Sequence, residues 1–162
     1  MTEHGELTHV DGRGAARMVD VSAKDVTVRS ATASGFVHTT AHVVSLLRGE
    51  GVPKGDALAV ARIAGIQAAK RTPDLVPLCH PIAIHGVVVD LDVTDAGVAI
   101  LATVRTADRT GVEMEALTCV AASGLTIIDM IKAVDRAAVI TDIRVEEKTG
   151  GRSGTWRRNP DE

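Results

Sequence analysis

Apolar positions dominate GVEMEALTCVAASGLTIIDMIK, residues 111–132, where no charge falls between 116 and 128. Ala, Leu and Met favour helix, and the run outlasts an ordinary strand. The spacing predicts a buried helix over 112–134, with Glu113 and Glu115 at its start and Asp129 and Lys132 near its end. Its length and charged ends argue against a bilayer span, which takes ~20 apolar residues. Upstream, β-branched residues at alternate positions predict a strand over 26–33. Helical spacing follows over 37–47, stopped by Gly49 and Gly51. Residues 53–55 form a turn, and Asp56 is a suitable N-cap for a second helix, 57–71, whose last turn carries Lys70 and Arg71.

Pro73, Pro77 and Pro81 exclude a helix interior or central strand over 72–81 and predict a fixed, structured crossing. Strands over 84–93 and 98–106 flank Thr94-Asp95-Ala96-Gly97, a hairpin signal. A final strand is expected over 138–145. The order β-α-α-β-β-α-β, with the early helices merged into one crossover, is the ferredoxin-like split βαβ pattern. We therefore expect an α+β fold, an antiparallel sheet covered by helices on one face. The expected organisation is a flexible N-terminal arm at 1–20, one domain at 21–147, and a basic, glycine-rich tail at 148–162. Val88 lies opposite Val87, Val89, Leu91 and Val93, so alternation alone does not say which sheet face the helices cover.

Composition narrows the function classes. The chain has 162 residues, 45% hydrophobic and 24% charged, with a net charge of −3. That balance gives no bulk attraction to nucleic acid or acidic membranes. Phe36 and Trp156 are the only aromatics, too few for a base-stacking platform. The start, MTEHGELTHVDG, is polar and reads as no signal peptide. Cys79 and Cys119 suggest no disulfide framework, so a cytoplasmic location is expected.

Several residues invite chemistry, each beside a plainer reading. Cys79-His80 could be metal ligands or a nucleophile with its base, but no second ligand pair is near, and a lone Cys is usually a small buried hydrophobe. His80 suits substrate contact or proton transfer, or simple hydrogen bonding in a rigid loop. Glu113 and Glu115 could merely complement the helix dipole. Asp129 and Lys132 could be a surface ion pair, yet their apolar neighbours would desolvate them into an acid/base couple. Lys54, Lys70, Lys148 and Arg152 are each plausible solvated charges and together a polyphosphate site. Glu115 and Asp129 lie about four turns apart on one helix side, ~21 Å along its axis. If both act, the site is shared between subunits.

ARIAGIQAAKRTPDLVPLCHP (61–81), TGVEMEAL (110–117), DMIKAV (129–134) and KTGGRSG (148–154), with LTHVDGRGAARMVDVSAK (7–24), resemble the cyclic pyranopterin monophosphate synthase family of molybdenum cofactor biosynthesis. The resemblance is collinear over nearly the whole chain. It implies a ferredoxin-like fold in a hexamer of three dimers, with active sites at a dimer interface. It implies a lyase that converts 3′,8-cyclo-7,8-dihydroguanosine triphosphate to cyclic pyranopterin monophosphate and diphosphate. No resident cofactor or metal is implied, though Mg²⁺ could accompany the diphosphate. Substrate binding would fall on Leu78, Cys79, His80, Met114 and Glu115, and catalysis on Asp129 and Lys132. Lys54, Lys70 and Lys148 would belong to the pocket. Glu113 and Arg152 are weaker assignments, and Arg152 stands where a lysine is expected.

Overall fold

The computed structural model describes residues 9–49, 52 and 56–159. Its elements run β1 (Thr27–His38), α1 (Ala41–Arg48), α2 (Ala57–Ala69), α3 (Thr72–Leu75), β2 (Gly86–Thr94), β3 (Gly97–Asp108), α4 (Glu113–Ile131), β4 (Val139–Thr149) and β5 (Trp156–Arg157). The sheet order is β2-β3-β1-β4-β5, with every neighbouring pair antiparallel. Its first four strands reproduce the split βαβ arrangement. Two of its features depart from expectation. The first strand runs on to His38 across the start of the expected helix, and a fifth short strand pairs Trp156 with Lys148.

Helix starts follow their caps. Thr40 Oγ1 accepts from Val43 N–H at α1, and Asp56 Oδ1 accepts from Ala59 N–H at α2. Each satisfies a donor that the first turn leaves free. The proline crossing begins with one helical turn, α3, because Pro73 at its start gives up no bond that a helix needs. Thr72, wholly buried, donates to Ala69 O and ties this turn to the end of α2.

Pairing settles which sheet face is covered. Across β2, β3 and β1 run the rows Val87–Val104–Ala31, Val89–Ala102–Ala33, Leu91–Ile100–Gly35 and Val93–Val98–Val37. Their buried members form the core with α2 and α4. The opposite face carries Val88, Asp90, Asp92, Leu101, Thr103 and Thr32. With few aromatics, the core closes by backbone approach. Ala57, Ala61, Gly65 and Ala69 make a buried small-residue ridge on α2. A Cβ on Gly65 would stand 2.3 Å from Ser123 Oγ, and Ser123 donates to Ala61 O at 3.1 Å. By length and composition α4 could also cross a bilayer; here it is held between α2 and the sheet. That it is too short to span is therefore not the reason to read it as a core helix; its packing is.

Beyond α4, Asp135 is buried and accepts from Thr39 Oγ1 at 2.7 Å, from Thr40 N–H and from Ala137 N–H. These bonds depress its pKa, that from Thr39 most, and join the end of α4 to the end of β1.

Candidate active site at the start of α4

Thr110 and Gly111, in the connection between β3 and α4, are the floor shared by two adjoining pockets. One, of about 410 Å³, is lined by Leu78, Cys79 and His80 from the proline crossing, Met114 and Glu115 from α4, and Val19, Val21 and His9 from the N-terminal segment. The other, of about 470 Å³, is lined by Lys24, Arg29, Lys148, Arg152 and the backbone of Gly150. Lys24, Thr110, Gly111 and Glu113 line both. One pocket is therefore the more apolar of the two, with the carboxyls of Glu113 and Glu115 in its lining, and the other is rich in cations.

Local structure explains how these side chains converge. Thr106 Oγ1 donates to Ala83 O and His85 N–H donates to Arg105 O, which fasten the segment after His80 to β3. Gly111 has room only because it lacks a side chain: a Cβ there would meet Glu113 Oε2 at 1.9 Å. Glu113 instead folds back, and its Oε1 lies 3.2 Å from Lys148 Nζ at the boundary between the pockets. The tail bends inward through Gly150 and Gly151, at φ 89° and 73°. Cβ atoms there would strike Val28 O and Arg29 Nη1, both at 2.2 Å. Glycine is what the left-handed backbone and the close approach both require.

Glu115 is 3% exposed. Burial drives its pKa up to about 7, partly offset by a hydrogen bond from its own backbone N–H and reinforced by the charge of Glu113. It is therefore split between acid and carboxylate near neutrality and can give or take a proton. Burial raises the Cys79 thiol too, with Glu115 adding to the rise, so Cys79 is held as the thiol and is a poor nucleophile. Cys119 lies buried beneath, pushed up to about 12 by desolvation. His80 is occupied: its Nε2 is 2.7 Å from Val19 O.

Leu78, Cys79, His80, Glu113, Met114, Glu115, Lys148 and Arg152 are thus brought together. Lys70 is exposed at the C-cap of α2 and lines neither pocket. Lys54 lies outside the described residues. Asp129 and Lys132 sit at the far end of α4, with Lys132 Nζ 2.6 Å from Asp129 Oδ1. Their side chains are 55% and 57% exposed. The expected desolvation of this pair is not met within one chain, because the apolar neighbours Ile127 and Ile131 turn inward and leave the charges facing out. Among the described residues, no three His, Cys, Asp or Glu side chains group as a metal site. Lys24, Arg29, Thr110 and Gly111 are among the pocket residues that their residue types alone do not single out. Lys24 closes the 7–24 stretch and Thr110-Gly111 opens TGVEMEAL, so both already stood inside the recognisable motifs.

Comparison with known proteins agrees with the motifs. The MoaC family model matches residues 18–151. The cyclic pyranopterin monophosphate synthase of Streptomyces avermitilis is 71% identical over 153 residues, 94% of this chain and 90% of that protein. That of Nocardioides sp. is 71% identical over 155 residues, 94% of this chain and 95% of that protein. Cyclic pyranopterin monophosphate synthase 2 of Mycobacterium tuberculosis is 60% identical over 154 residues, covering 95% and 92%. The matched region runs from just before Val19 to just after Gly150, so it takes in most of the lining of both pockets, leaving out His9 on one side and Arg152 and Ser153 on the other, and the chain belongs to the MoaC family.

Proposed function

We propose that this chain is a lyase of molybdenum cofactor biosynthesis that converts 3′,8-cyclo-7,8-dihydroguanosine 5′-triphosphate to cyclic pyranopterin monophosphate, releasing diphosphate in the cytoplasm. The reading is carried by one observation: a cationic pocket and an apolar pocket with a titratable carboxyl share one floor. A nucleotide-derived triphosphate has that same division. Its phosphates would meet Lys24, Arg29, Lys148 and Arg152, which neutralise the charge that develops on a leaving diphosphate. Its ring system would lie against Leu78, Cys79, His80 and Met114, with Glu115 within the same pocket to exchange protons. Lys148 then exchanges Glu113 for phosphate.

Asp129 and Lys132 supply the remaining acid/base couple in this proposal, Lys132 as main proton carrier and Asp129 as the group that orients it. Because ~21 Å of helix separates them from Glu115, they would come from a second subunit, in a hexamer built as three dimers. A partner covering the end of α4 would provide the desolvation that the single chain lacks. Lys70 and Lys54 would serve the assembled site in the same way. Co-assembly of an Asp129→Ala chain with a Glu115→Ala chain should restore turnover of the cyclic triphosphate that neither has alone. Failure to recover activity in mixed oligomers of proven composition would overturn the shared site.

A further inference from the structure

Residues 9–24 supply one wall of the apolar pocket without joining the sheet. Their bonds are mostly internal: Val10 bridges Ala16, Asp11 N–H donates to Ala15 O, and Arg17 N–H donates to His9 O. Residues 20–24 are a second closed unit, in which Asp20 Oδ1 accepts from Ser22 N–H and Lys24 N–H donates to Val21 O. Two side chains of the body reach this unit, one at each end. His80 Nε2 bonds Val19 O at 2.7 Å, and Arg109 Nε donates to Lys24 O at 2.9 Å.

We propose that Arg109 is a positioning residue which, together with the His80–Val19 bond, clasps the 19–24 turn and so sets Lys24 where the two pockets meet. The turn is closed by its own hydrogen bonds, so pinning both ends fixes its orientation. Arg109 is mounted on the β3–α4 connection that also carries Thr110 and Gly111, and His80 on the proline crossing that carries Leu78 and Cys79. Wall and floor are thereby registered to one another. Lys24 is exposed, and without the clasp its long side chain would sample solvent freely; ordering it beforehand lowers the entropic cost of meeting an anion. The role of Lys24 in this inference rests on the phosphate-side reading above.

Steady-state kinetics with the cyclic triphosphate and limited trypsin digestion of the purified, full-length protein test it together. Arg109→Ala should raise KM about tenfold with kcat changed less than about twofold, the loss of one charge-assisted contact expressed in binding. Trypsin should cut after Arg17 and Lys24 faster than in wild type, and Arg109→Lys should recover part of both properties. Lys24→Ala should raise KM similarly, and the double variant should be no worse than either single one, because Arg109 acts through Lys24. Multiplying effects would overturn the inference and make Arg109 a direct substrate contact. Wild-type KM and unchanged cleavage in Arg109→Ala would overturn the clasp. Wild-type KM in Lys24→Ala would instead sink the phosphate-side reading, while faster cleavage of Arg109→Ala would still support the clasp.

Discussion

The two ends of α4 carry similar acids in opposite surroundings. At its start, Glu115 is buried beneath a pocket and its pKa is driven up to about 7. At its end, Asp129 pairs with Lys132 in an exposed position. The same helix therefore presents one carboxyl that the chain itself desolvates and one that it leaves in solvent, paired with a lysine. Residue type does not separate them; the element packed above each does. Over the start lie the proline crossing and the N-terminal segment, whereas at the far end Asp129 and Lys132 face outward on the side away from buried Ile127 and Ile131.

The sharpest way to break this contrast is at the exposed end. Lys132→Ala should cut turnover of the cyclic triphosphate by about 10²- to 10⁴-fold, the usual range for a lost proton-transfer group. Its unfolding free energy should move by less than about 1 kcal/mol, as for a surface ion pair. A variant that turns over normally would remove Lys132 from the chemistry. At the buried end the larger signal is in stability. Ionising Glu115 is disfavoured in the folded protein, so its own contribution to stability is fully present below its ordinary pKa of 4.5 and is lost as pH rises toward about 7. The loss is about 3 kcal/mol, from 1.36 kcal/mol per pH unit. Denaturant titrations should show that Glu115→Gln flattens this decline relative to wild type; parallel curves would mean that Glu115 is not desolvated. The smallest effect belongs to the pocket boundary. Gly111→Ala would displace the Glu113 carboxylate from Lys148, and KM should change about two- to tenfold, the worth of one hydrogen-bonded contact.

Much of this was legible in the order of residues. The Thr94–Gly97 signal placed the β2–β3 hairpin, the uncharged run placed α4, and Asp56 capped α2 as expected. The end of β1 was not legible, because Val37 belongs to an alternating strand pattern and to a helical one at once. Pairing with Val98, far away in sequence, resolves it. The covered sheet face was equally hidden in β2, since the helices choose it. In the site, Cys79, His80, Met114 and Glu115 stood in short motifs. Lys24 and Arg29 reach the same cleft only through long-range contacts, Arg29 Nε donating to Asp108 O and Arg109 to Lys24 O. The exposure of Asp129 could not be read from its apolar neighbours, because helical geometry turns them the other way.

The short strand β5 gives the protein a built-in optical reporter. Trp156 is its only indole and the chain has no tyrosine, so ultraviolet emission comes from one place. That place is paired across the ladder with Lys148, and the Arg158 guanidinium lies 5.6 Å from the ring centroid. On the proposed reading, in which Lys148 exchanges Glu113 for phosphate, the fluorophore stands one ladder step from the residue that would move. A phosphate-bearing ligand entering the cationic pocket should therefore, on that proposal, change the intrinsic emission of the unmodified protein, separately from turnover.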